Sequence, residues 1–86
     1  MIQIDFYHDR ADSPVILLST AMLPAVPAIG HMIYAAHKAE VWTAEAGVSG
    51  APVHNWRVTG VYWQLESDTV SVFVVPYYRQ ENQPNE

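Results

Sequence analysis

The tightest constraint on this chain is a pair of β-forming runs near its C-terminus, Trp56 to Leu65 and Val70 to Val75, separated by Glu66-Ser67-Asp68-Thr69. Both runs are rich in β-branched and aromatic residues, and the polar residues between them suit a hairpin loop. Pairing Leu65 with Val70 sets Trp63 opposite Val72 and Val61 opposite Val74, which gathers these apolar side chains on one face. The other face then carries Tyr62 opposite Phe73 and Gln64 opposite Ser71. Trp56 and Val58 have the wrong parity to join the apolar face of a regular strand. A β-bulge near Thr59-Gly60 corrects the phase. The bend that it makes is what curls a small sheet toward a barrel.

The N-terminus adds a second clear strand. Ile2, Ile4 and Phe6 alternate with Gln3, Asp5 and Tyr7, the pattern of a half-buried strand. His8 to Pro14 has turn chemistry, and Val15 to Thr20 forms the next apolar strand. Pro24 and Pro27 mark an extended link closed by Gly30.

From Gly30 to Gly47 two patterns compete. Met32, Ala35, Ala39, Trp42 and Ala46 recur at helical steps with Gly47 placed as a C-cap. The alternative makes His31 to Tyr34 one strand and Glu40 to Thr43 another, using Ile33, Tyr34, Val41, Trp42 and Thr43. The two-strand pattern is the expectation. The fold class is mostly β: a small curled antiparallel sheet or SH3-like barrel of five to six strands, with room for one short helix in 30–47. At 86 residues there is space for one modest core, so 1–78 form a single domain and the polar 79–86 a disordered tail.

Composition narrows function by exclusion. The four basic residues, Arg10, Lys38, Arg57 and Arg79, are scattered and the net charge is -5, which leaves no cluster to neutralise phosphates. An acidic chain meets a basic partner surface more readily than a nucleic acid. With no cysteine there is no disulfide, thiol nucleophile or cysteine metal site. Residues 13–37 lack Asp, Glu, Lys and Arg over a length that could span a bilayer, but Pro14, Pro24, Pro27, Gly30 and His31 break any continuous helix. The expected location is the cytoplasm, without membrane contact.

No motif announces catalysis. Gly47-Val48-Ser49-Gly50-Ala51 lacks the last glycine of a nucleophile elbow and the large parallel sheet that such an elbow needs. His8, His31, His37 and His54 show no familiar metal-ligand spacing. Glu66 and Asp68 sit in the proposed turn, a poor place to shift a carboxylate toward acid-base work. The expectation is a protein that is not an enzyme and uses no metal or cofactor.

The ten aromatic residues exceed what so small a core can enclose. Tyr62 and Phe73 fall on the outer face of the hairpin, near Tyr77 and Tyr78 at its end. These four residues are the expected partner-binding surface, because exposed aromatics on a sheet favour protein contacts.

Three segments, Leu23-Pro24-Ala25-Val26-Pro27-Ala28-Ile29-Gly30, Trp56-Arg57-Val58-Thr59-Gly60-Val61-Tyr62-Trp63 and Val70-Ser71-Val72-Phe73-Val74-Val75-Pro76, resemble in their order small uncharacterised β-barrel proteins of bacteria and their phages. The resemblance covers about half the chain and implies a barrel-like fold and a phage or prophage origin, with no catalytic residues. The function expected is a protein-binding module, homodimeric, that occupies a partner such as a host defence component. The alternative is a ring-forming assembly subunit of the head-tail connector kind.

Overall fold

A computed structural model describes residues 1–10 and 15–78. The disorder expected of 79–86 and part of the first turn lie outside these residues. Five strands form one curled sheet, a half-barrel in which β1 is Ile2–His8, β2 Ile16–Leu23, β3 Met32–Tyr34, β4 Asn55–Gln64 and β5 Thr69–Pro76. Their order across the sheet is β2-β1-β5-β4-β3. The sheet is mixed: β1 runs parallel to β5, and every other pairing is antiparallel. Placing β5 between β1 and β4 makes it the central strand. Its alternate valines, Val70, Val72 and Val74, are accordingly almost fully buried.

The N-terminal strand follows its alternation, with Ile4, Phe6 and His8 buried and Gln3, Asp5 and Tyr7 less so. Two bulges supply the curl. On β4, Val58 pairs with Val74 and Gly60 with Phe73, so Thr59 is the extra residue that the parity of Trp56 and Val58 calls for. Both are buried as a result. On β2, Phe6 faces Ser19 and Tyr7 faces Leu17, leaving Leu18 as a bulged residue turned into the core.

The hairpin closes one residue earlier than the loop composition suggests. Gln64 pairs with Thr69, and the loop is Leu65-Glu66-Ser67-Asp68 with Asp68 at φ 57. Aspartate tolerates this left-handed conformation better than a β-branched threonine, which joins β5 instead. Trp63 therefore faces Val70 and Val61 faces Val72, while Tyr62 faces Ser71 rather than Phe73. Both strands slide together, so every side chain keeps its expected face.

The expectation that fails is depth. Trp63 shares the parity of the core but is 62% exposed. β3 pairs only with Asn55 to Arg57, so among the described residues no strand pairs with β4 beyond Val61 on its far side.

Between Gly30 and Gly47 the structure takes one element from each pattern. His31 to Tyr34 contains β3, but Glu40 to Thr43 is helical and the second expected strand does not form. A 3-10 turn, Ala36–Lys38, leads into a short helix α1, Ala39–Glu45. Ala39, Trp42, Thr43 and Ala46 form its buried face. Gly47 ends it at φ 75 with two paired closing bonds, Val48 N to Thr43 O and Gly47 N to Ala44 O. The β-rich residues Val41, Trp42 and Thr43 enter the helix because Trp42 finds its place there. Its ring lies 5.2 Å from Phe6 and 5.5 Å from Trp56, and its Nε1 donates to Ser19 Oγ at 3.0 Å.

Among the described residues His8 is the one buried titratable side chain, set edge-on to Trp56 with centroids 6.1 Å apart. Its Nδ1 has no hydrogen-bond partner among the described residues. Burial, aided by the Arg10 charge and opposed by Asp9, pushes its pKa below the ordinary 6.5. The unfolded chain protonates this imidazole near pH 6.5 while the folded chain resists, so acid favours unfolding. Stability from His8 is full above pH 6.5 and is lost as pH falls through the lowered folded pKa. Thermal melts between pH 7 and pH 5 should show a declining Tm, and His8→Phe should flatten that decline. An unchanged slope in the variant would remove His8 as its source.

Candidate functional site

Among the described residues no helix lies against the outer face of the sheet, since α1 packs on the concave side through Trp42. Three aromatic side chains form a row across this outer face. Tyr7 stacks on Phe73 with centroids 5.4 Å apart, and Tyr62 meets Phe73 edge to face at 5.3 Å. Tyr62 reaches Phe73 diagonally because Phe73 lies opposite Gly60, whose missing side chain leaves room for the ring. A Cβ on Gly60 would stand 3.0 Å from Tyr62 Cε2. The same diagonal lets Gln64 Nε2 donate to Ser71 Oγ at 3.2 Å.

Tyr62 and Phe73 thus come together as the alternation predicts, with Tyr7 as an additional member. Tyr77 and Tyr78 do not join them. Tyr77 N donates to Asn55 O at 2.9 Å, and both tyrosines border a separate depression with Ser49, Pro52 and His54. From Asn55 to Tyr62 along β4 is about 20 Å at the usual rise per residue.

The residues missed by parity lie at the hairpin end. Trp63 is 62% exposed and Leu65 86%, next to the expected Tyr62 at 58%. Glu66 and Asp68 are also exposed there, so an apolar end carries an acidic margin. The signal available in sequence was Leu65 itself, an apolar residue that the tighter loop leaves in the turn.

The histidines are dispersed by the fold. His8 is in the core, His31 Nδ1 accepts from Ala28 N at 3.2 Å, His54 stacks on Tyr34 at 5.8 Å, and His37 is exposed in the 3-10 turn. Among the described residues no three His, Asp or Glu side chains come together as a metal-binding group. No helix among them is long and apolar enough to cross a membrane.

A second concavity lies inside the curl, between β2 and β3, the two edge strands of the sheet among the described residues. It has a volume of about 340 Å3 and a mainly apolar lining that includes Phe6, Leu23, Ile33 and Trp42, with Lys38 at its margin. Comparison with protein-family models, curated proteins and solved structures returns no match to this chain.

Proposed function

We propose that this chain is a non-enzymatic protein-binding module whose contact surface is the exposed hairpin end, with Trp63 and the loop residue Leu65 as its centre and Tyr62, beside Phe73 and Tyr7, on the opposite face of the same hairpin. The observation that carries this is a tryptophan left 62% exposed in a chain that buries its other two. Tryptophan and tyrosine dominate the energetics of protein contacts when a partner desolvates them. Glu66 and Asp68 beside them favour a partner whose apolar pocket has a basic rim. The resemblance to small phage and prophage proteins fits such a module acting by occupancy, for instance on a host defence component.

A photo-cross-linking amino acid in place of Leu65, Tyr78 or Glu40, introduced in cells that naturally make the protein, tests the reading. Leu65 should give a discrete cross-linked species that Trp63→Ser abolishes, while Glu40 gives none. A product twice the chain's mass identifies a second copy, and a ladder of higher masses favours the ring-forming subunit. Equal yields from all three positions would overturn the hairpin end as the surface.

A further inference from the structure

We infer that the cleft between β2 and β3 is an acceptor for an extended peptide segment of another protein, bound as a sixth strand, with apolar residues at alternate positions and an acidic residue near Lys38. This goes beyond the hairpin end and rests on different residues. Among the described residues β2 and β3 are the sheet's two edges and do not pair with each other, and α1 packs against β2 at one side of the gap. No Cα of β2 lies within 8 Å of a Cα of β3. Neighbouring strands lie about 4.8 Å apart, so a gap holding one more strand needs about 9.6 Å between its walls.

The walls have the chemistry of strand addition. Among the described residues, no backbone N–H or C=O of Ile16–Leu23 or Met32–Tyr34 makes a backbone hydrogen bond outside the strand ladders. β2 is eight residues long and holds no charged residue and no proline, so its only guards as an edge strand are the bulge at Leu18 and the packing of α1 against it. The floor is apolar, made by Phe6, Ala21, Leu23, Ile33 and Trp42. An inserted strand would turn every second side chain onto that floor.

Lys38 selects the sign of the ligand. Among the described residues it is the only charged one lining the cleft, in a chain with nine acidic residues and four basic ones. A carboxylate on the incoming segment meets the ammonium at the margin, where the apolar wall strengthens the charge-assisted bond. A peptide is favoured over a free amphiphile because both walls present unpaired backbone groups, which an alkyl chain would leave without partners.

The test uses the full chain and a library of random linear peptides displayed for selection. Enriched peptides should show apolar residues at every second position with Asp or Glu toward one end. A synthetic copy of one should slow amide exchange along β2 and at Met32 to Tyr34. Lys38→Glu, an exposed change, should weaken that peptide about tenfold. Ala21→Trp, which fills the floor, should abolish its binding, while Trp63→Ser should leave it unchanged.

Selection that yields no alternating class, or protection that maps away from β2 and β3, would overturn the proposal. So would sodium decanoate protecting the same amides as well as the peptide does, since the site would then be an amphiphile pocket. Protection that rises with protein concentration alone would assign the cleft to a second copy and equally refute it.

Discussion

Replacing Trp56 with alanine is expected to lower the midpoint of thermal unfolding by at least about 10 °C, the largest single-residue effect in this fold. Trp56 is fully buried, sits where the bulge at Thr59 redirects β4 into the core, and contacts both His8 and Trp42. Its Nε1 also donates to Val53 O at 2.9 Å, tying the strand to the loop before it. Truncation removes the ring, leaves a cavity and orphans that carbonyl, a loss of about 3–5 kcal/mol. That is a large share of the stability of a domain this small. A circular-dichroism melt of Trp56→Ala checks it, and a midpoint within 3 °C of wild type, less than about 1 kcal/mol, would show that the bulge does not place this ring in the core.

Thr43→Val is expected to cost about 1–3 kcal/mol although it keeps the side chain's shape. Thr43 is buried on α1, and its Oγ1 donates to Ala39 O at 2.7 Å while accepting from Val53 N at 2.8 Å. The hydroxyl is therefore the polar link between α1 and the loop leading into β4. Valine leaves the Val53 N–H buried without an acceptor, and that orphaned donor is what dominates the cost. Thr43→Ser should retain most of the link. Amide exchange adds a specific signature, because Val53 should speed up in Thr43→Val well before the β5 amides do. Uniform acceleration across the sheet would mean that only global stability has changed.

These two residues show why parts of the fold were legible in sequence. The bulge follows from parity alone, since Trp56 and Val58 could reach the face of Val61 only through one extra residue near Gly60. Gly47 as a helix stop was equally local. What sequence could not supply was the neighbour of each strand. Parity gives the face of Trp63 but not whether another element covers it, and the brevity of β3 leaves it in solvent. The parallel contact of β1 with β5 joins residues more than sixty positions apart, which no local pattern encodes. The segment around Trp42 misled because Val41, Trp42 and Thr43 favour strands on their own, while the pocket formed by Phe6, Ser19 and Trp56 rewards a helix.

The candidate surface divides the same way. Tyr62 and Phe73 were readable as an outward pair because alternation survives a two-residue change in register. Tyr77 and Tyr78 lie near them in sequence, but an extended strand carries such residues far apart. The cleft between β2 and β3 has no sequence signal at all, because it is defined by a strand that the sheet lacks.

The third tryptophan, Trp63, stands outside the core. Iodide quenching of tryptophan emission, compared between the wild-type chain and Trp63→Phe, tests it most directly. Iodide reaches only solvent-exposed indoles, and Trp42 and Trp56 are 3% and 0% exposed. The wild-type chain should show a quenchable fraction that Trp63→Phe removes, with the melting midpoint unchanged within about 2 °C, as expected for a surface substitution. Emission that remains equally quenchable in the variant, or a midpoint lowered as far as a core truncation would lower it, would contradict the account.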